Sequence, residues 1–87
     1  ARAHNQAGIK LGQSQKFEEA FIQFEKSVQQ NPKLLSARFN LAKLLLEFKN
    51  DPEKAKTHLQ LALALNPTLE QTQVLRDLIK QIEKPAP

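Results

Sequence analysis

Two stretches of this 87-residue chain carry the same pattern 35 positions apart, and this repetition restricts the fold more than any other feature. The first stretch, residues 17–32, places apolar residues three and four positions apart, a spacing that lines one side of a helix. It ends at Asn31-Pro32 because the residue before a proline is disfavoured in the α region. The residues that recur are Ala20 and Ala55, Phe24 and Leu59, and Pro32 and Pro67. The sequence therefore predicts two equivalent helical units.

Prolines and polar turns divide the chain into five predicted helices. Their expected extents are residues 2–15, about 17–31, about 34–48, 52–65 and 68–84. Asp51 and Pro52 form a strong helix start, the first as N-cap and the second at the first helical position. Thr68 and Gln71 have the spacing of a capping box. Gly8 lies inside the first helix, where glycine costs about 1 kcal/mol relative to alanine, so we expect another helix to approach it closely.

Residues that carry catalysis or bind metals are sparse. The chain has no cysteine, which excludes disulfides, zinc–thiolate sites and a thiol nucleophile. His4 and His58 are its only histidines, and neither lies at catalytic or metal-ligating spacing from a carboxylate. The two glycines are isolated, so the sequence has no glycine-rich phosphate loop. We therefore expect no enzymatic activity, no catalytic residue, no metal and no cofactor.

Membranes and nucleic acids are also not expected as partners. No apolar run approaches the roughly 18 residues of a membrane span, so membrane insertion is not expected. Basic residues are dispersed rather than clustered, which argues against nucleic-acid binding. Phenylalanines can serve as platforms for stacked bases. Four of the five phenylalanines instead fall at predicted core positions, namely Phe17, Phe21, Phe24 and Phe48.

The repeated pattern resembles the tetratricopeptide repeat, a helix–turn–helix unit of 34 residues. The first copy matches at Gly8, Ala20, Phe24 and Pro32, and the second at Ala42, Ala55, Leu59 and Pro67. The family's large aromatic positions differ, since His4 and Arg38 stand at two of them in this chain. The resemblance implies an all-α fold, a right-handed α-solenoid of antiparallel helix pairs. Its parts are repeat 1 at residues 1–34, repeat 2 at 35–69, a capping helix at 70–84 and a tail or linker at 85–87.

The resemblance also implies a function, the binding of an extended or helical peptide from another protein in a concave groove lined by the first, third and fifth helices. The groove residues that it implies are Arg2, Asn5, Ile9, Gln13, Arg38, Phe39, Asn40, Lys43, Leu46 and Glu47. For Phe39, groove and core are given equal weight. Family members that bind the acidic C-terminus of chaperones use a clamp of lysines, asparagines and an arginine. Only Asn40 matches that clamp, so a chaperone-adaptor role is not expected.

The distribution of charge predicts the kind of peptide. The chain carries a net charge of +4; residues 1–16 and 33–50 each carry +3, while residues 17–32 carry −2. The positive excess therefore lies on the two segments that the resemblance places at the groove, which predicts an acidic or amphipathic peptide. Equal weight goes to the alternative that these lysines only keep the surface soluble.

Self-association within a larger assembly is the alternative function. Lys10 occupies the place that Leu44 holds in the second repeat, so the outer side of the first helix is suited to water and the stack is expected to begin there. This favours a monomer over a homo-oligomer. The chain begins without methionine and is expected to be excised from a larger protein. No sequence feature specifies a compartment, and the cytoplasm is the default expectation.

Overall fold

Five α-helices make up the part of the protein that the structure describes. The structure is a computed structural model that describes residues 2–83, with the backbone but not the side chain of Arg2. The helices are α1 (Arg2–Gln13), α2 (Phe17–Gln30), α3 (Leu35–Glu47), α4 (Pro52–Leu63) and α5 (Leu69–Glu83). No strand occurs within this range, so the predicted all-α class is confirmed. The proposed tail, residues 85–87, and the last residue of the proposed capping helix, Lys84, lie outside the described residues.

The helix ends follow from local chemistry. α1 ends at Gln13 rather than Gln15, because Gln15 takes a left-handed conformation with φ 61°. The backbone N–H groups of Lys16 and Gln15 then donate to the carbonyls of Leu11 and Gly12, the two bonds of a Schellman motif. α4 likewise stops two residues before the predicted end. Its last turn is tightened by bonds between residues three apart, and Asn66 follows in the left-handed region.

The helix starts differ in how they are capped. The Asp51 carboxylate accepts a hydrogen bond from the Lys54 backbone N–H at 3.2 Å, which confirms the predicted N-cap of α4. The predicted capping box is also confirmed. Gln71 N–H donates to Thr68 Oγ1 at 3.1 Å, and Thr68 N–H donates to Gln71 Oε1 at 2.8 Å. α2 begins after Lys16 without any side-chain cap.

The helices pack in sequence order around one core. α1 packs on α2 and α3 packs on α4, while α2 contacts α3 and α4 contacts α5; α1 also touches α3. Within this arrangement Ala20 and Ala55 are completely buried, as is Leu59, and Phe24 is almost so. α5 contributes Leu75, which is buried against the same cluster. The apolar stripes that defined the helices therefore meet in a single contiguous core.

Gly8 lies where α2 approaches α1 most closely. A Cβ atom at Gly8 would stand only 2.5 Å from Cε1 of the buried Phe24 ring. The expected close approach is therefore confirmed, and the neighbour is the large side chain of α2. Gly12, one turn further along α1, has nothing within 4 Å of such a Cβ. The two glycines of α1 thus have different surroundings.

Two of the four predicted core phenylalanines lie at the surface. Phe24 is buried and Phe21 packs half-buried against the core, but Phe17 is 37% exposed and Phe48 is 41% exposed. Phe17 is the first residue of α2 and Phe48 directly follows α3, so both lie at helix ends, where neighbouring helices cover less of each side chain. Their rings pack against each other instead, with centroids 5.7 Å apart. The core assignment of Phe17 and Phe48 is wrong for this reason.

Candidate functional site

A cavity of about 380 Å³ lies between α3 and α5. Its lining residues are Leu35, Ser36, Phe39, Glu70, Gln71, Val74 and Leu75. Leu75 is buried, whereas Val74 is 46% exposed at the cavity wall. Phe39 lines the cavity and also packs half-buried against the core. We call this depression the α3–α5 cavity.

A second depression of about 270 Å³ lies on the other side of α3, between α3 and α1. We call it the α1–α3 furrow; its lining residues are Gly8, Ile9, Gly12, Gln13, Phe17, Phe24, Asn40, Lys43, Leu44 and Glu47. Five of the ten predicted groove residues are among them, namely Ile9, Gln13, Asn40, Lys43 and Glu47. Gly12 leaves part of the furrow open, because no other atom fills the place of its absent Cβ. The two depressions together flank α3.

Asn5 links α1 to α3. Its side-chain amide donates to Ser36 Oγ at 3.1 Å, and its Oδ1 accepts from the Asn40 amide at 3.2 Å. Asn5 is almost fully buried, so these bonds satisfy polar groups that would otherwise be costly to desolvate. The structure therefore gives Asn5 a positioning role between the helices, with exposed Ser36 and half-buried Asn40 as the two ends of the network.

Arg38 points towards α4 instead of either depression. Its Nε donates to the Pro32 carbonyl at 2.7 Å, and Nη1 donates to His58 Nδ1 at 3.1 Å. The His58 pKa is lowered, first by burial and then by the charge of Arg38. The guanidinium of Arg38, predicted for the groove, is engaged by the turn before α3 and by α4, and Arg38 lines neither depression. Leu46 packs half-buried against the core and lines neither depression, and the side chain of Arg2 lies outside the described residues.

The Arg38–His58 contact has a counterpart in the α1–α2 pair. His4 Nδ1 donates to Gln23 Oε1 at 2.8 Å, and this bond also joins the first helix of a pair to the second. The four residues occupy corresponding positions, since 4 and 38 differ by 34 and 23 and 58 differ by 35. Sequence reasoning missed both links. The signal that could have found them is the presence of polar residues at both pairs of positions.

The residues that line the α3–α5 cavity and the α1–α3 furrow carry charges of both signs. Lys43 is the one lysine among them, with Nζ 5.8 Å from the Phe39 ring centroid, and Glu47 and Glu70 bring two carboxylates. Lys49, which contributes to the positive excess of residues 33–50, forms an ion pair with Glu18 at 2.7 Å. Two of the seven basic residues in residues 1–16 and 33–50, Arg38 and Lys49, are therefore engaged elsewhere.

The described part of the chain presents no metal site and no bilayer-spanning helix. Within residues 2–83, His, Asp and Glu side chains do not form a group of three or more that could hold a metal ion. None of the described helices combines the length and apolar character needed to cross a bilayer. Comparison of the chain with protein-family models, with curated proteins and with solved structures found no match.

Proposed function

We propose that the chain is a two-repeat tetratricopeptide module that binds a peptide segment of another protein across α3. The observation that carries this proposal is the presence of a depression on each side of α3, both lined partly by exposed apolar side chains. Concave, largely apolar sites with a few polar groups are the usual form of a binding surface. The proposal includes neither catalysis nor a cofactor.

The recurrence of buried positions supports the repeat assignment. The pairs Ala20 and Ala55, Phe24 and Leu59, and Ser27 and Ala62 are each separated by 35 residues, and all six residues are buried. The contacts of α1 with α2 and of α3 with α4 fit two helix pairs, stacked through α2 and α3. In this proposal the pairs form a right-handed α-solenoid. α5 acts as its capping helix, with Leu75 inward and polar residues such as Arg76 and Asp77 exposed.

The lining favours an amphipathic peptide over a uniformly acidic one. An apolar side chain of the peptide would enter the α3–α5 cavity against Phe39 and Val74. Lys43 would pair with a carboxylate of the peptide, while Glu47 and Glu70 would repel further acidic groups. Burial of one apolar side chain contributes about 1.5–3 kcal/mol, more than an exposed ion pair at about 0–1 kcal/mol. Apolar contact is therefore expected to dominate affinity, and charge to tune it.

Selection from a displayed library of random 12-residue peptides tests the proposal. The best peptide would be titrated by calorimetry into the parent protein, Val74→Lys and Ile22→Lys. Val74 lines the cavity, whereas Ile22 lies on α2 with a similar exposure of 41% and is absent from both linings. We expect Val74→Lys to weaken binding at least tenfold and Ile22→Lys to leave it unchanged. Equal losses in the two variants, or no enriched peptide, would refute the proposal.

Self-association remains the alternative proposal, and one observation favours it. Leu69, the first residue of α5, is 90% exposed and directly precedes the cavity residue Glu70. A second copy could cover this side chain. Sedimentation equilibrium at micromolar concentration distinguishes the two functions, since the peptide-binding proposal expects a monomer. A dimer that Leu69→Lys dissociates would support self-association.

A further inference from the structure

A smaller depression opens at one end of the α1–α3 furrow. It measures about 180 Å³, and its walls are Phe17, Leu44, Glu47 and Phe48. Three of these residues also line the furrow, namely Phe17, Leu44 and Glu47. The depression therefore continues the furrow past the end of α3, where the two surface phenylalanines stand.

The chemistry of these walls suits a positive charge. The exposed rings of Phe17 and Phe48 are tilted by 44° to each other, and each ring face carries partial negative charge. Glu47 adds an exposed carboxylate, and none of the ion pairs between described side chains involves it. Aromatic faces beside a carboxylate attract both guanidinium and ammonium groups.

The same aromatic cluster already holds one cation of the chain. Lys49 Nζ lies 4.9 Å from the Phe21 ring centroid and 5.2 Å from the Phe48 centroid, and it pairs with Glu18. An ammonium between rings and a carboxylate is thus an arrangement that this surface supports. Phe17 and Glu47 offer the same two kinds of group, and none of the cation–ring contacts or ion pairs among residues 2–83 involves either of them. Lys16 lines a neighbouring depression beside the Phe17 and Phe48 rings.

We propose that Phe17, Glu47 and Phe48 form a subsite for one basic side chain, arginine or lysine, of the bound peptide. This inference rests on the proposed peptide-binding function and adds a charge preference opposite to the one that Lys43 provides. The planar guanidinium of arginine can stack on a ring and pair with the carboxylate at once, so arginine is the better occupant. The bound peptide then carries an apolar residue for the α3–α5 cavity and a basic residue for this subsite.

Helix geometry fixes the spacing between the two residues. Phe39 and Glu47 are eight positions apart on α3 (39 to 47), which corresponds to about 12 Å along the helix axis. The cavity and the furrow lie on opposite sides of α3, which adds roughly one interhelical distance of about 10 Å across it. The resulting separation of about 16 Å is spanned by about five residues of an extended peptide.

The peptide selection described above tests this inference when it is repeated on matched variants. From the parent protein we expect peptides with an apolar and a basic residue about five positions apart. Replacement of a selected arginine by citrulline, which keeps the shape and removes the charge, should weaken binding about five- to tenfold. Glu47→Gln and Phe48→Leu should each reduce that difference, because each removes one of the groups that hold the charge. A stronger variant, Glu47→Lys, reverses the charge of the subsite. Its control is Glu25→Lys, the same charge reversal at an exposed position of α2.

The outcomes separate this inference from the function on which it rests. If peptides bind through the cavity, as judged by Val74→Lys, but citrulline binds as well as arginine, the basic subsite is refuted while peptide binding stands. The subsite is also refuted if the preference for arginine survives Glu47→Lys. If no peptide is enriched, both proposals fall. Support requires that selection on Glu47→Lys loses the basic residue and that selection on Glu25→Lys retains it.

Discussion

The α1–α2 and α3–α4 pairs fill the same interhelical contact with different residues. In the first pair Phe24 fills the contact and Gly8 makes room for its ring. In the second pair the corresponding residues are Leu59 and Ala42, both buried. Leu59 is smaller than Phe24, and Ala42 is larger than Gly8. Interiors are packed close to crystal density. The comparison indicates that the two positions share the volume at this contact, since the pair with the larger side chain on one helix has the smaller residue on the other.

The pairs also differ in their polar link and in their second helix. His4 and Gln23 join the first pair through a hydrogen bond, whereas Arg38 and His58 bring a fixed positive charge to the equivalent place. α4 starts from a side-chain cap, but α2 does not. These differences lie at positions where both helix pairs make contact but with different chemistry. Four sets of variants test how far each difference matters.

The largest effect on stability is expected from removing the side chain that fills the contact between α1 and α2. Phe24→Ala should lower the free energy of unfolding by about 3–5 kcal/mol, because it removes a buried ring and leaves a cavity against Gly8. Leu59→Ala should cost about 2–5 kcal/mol at the equivalent place. Urea denaturation measures both. A loss below about 1 kcal/mol in either variant would contradict the assignment of these residues to the core contact of each helix pair.

The two glycines of α1 should respond in opposite directions. Gly8→Ala gains about 1 kcal/mol of helix propensity but forces a Cβ into the buried Phe24 ring, and such overpacking costs about 1–3 kcal/mol. We expect net destabilisation. Gly12→Ala meets no neighbour and should be stabilising by up to about 1 kcal/mol. Thermal unfolding of the two variants checks this, and equal shifts of Tm would argue against the close contact at Gly8.

Removing the cap should affect only the second pair. Asp51→Ala deletes the carboxylate that accepts from the Lys54 N–H, which should cost about 1 kcal/mol. Lys16 holds the equivalent place before α2 and makes no side-chain cap. Lys16→Ala should therefore leave the free energy of unfolding unchanged within about 0.5 kcal/mol. A comparable loss in both variants would show that the two helix starts are equivalent after all.

The smallest expected effect is the pH dependence of stability that His58 contributes in the α3–α4 pair. Because the folded state lowers the His58 pKa below 6.5, the folded protein holds this imidazole neutral more strongly than the unfolded chain does. The contribution of neutral His58 to the free energy of unfolding is complete above pH 6.5. It is lost as the pH falls through the lowered pKa that His58 has in the folded state. His58→Gln introduces the residue found at Gln23 and keeps an acceptor for Arg38. Denaturation of both proteins between pH 8 and 5 should show the parent losing more stability; parallel curves would disprove the effect.

Local sequence signals determined the helices and much of the candidate site. Asp51-Pro52 and the Thr68–Gln71 box placed two helix starts to within a residue, because capping depends on groups a few positions apart. The apolar stripes identified which faces are buried. Ile9, Asn40 and Lys43, which the resemblance implied as groove residues, all line the furrow. Features that depend on residues within one or two helical turns of each other could therefore be predicted from the sequence.

Only the tertiary structure decided which side chains meet across helices. The sequence predicted a close neighbour at Gly8, but the identity of that neighbour, Phe24, depends on how α1 and α2 are joined. Arg38 carries charge on α3, yet it turns to His58 because α4 offers an acceptor there. Phe17 and Phe48 have core spacing and remain exposed, because burial at a helix end depends on how far the neighbouring helices extend. Periodicity specifies a face of one helix, whereas these outcomes depend on the distance and alignment between two.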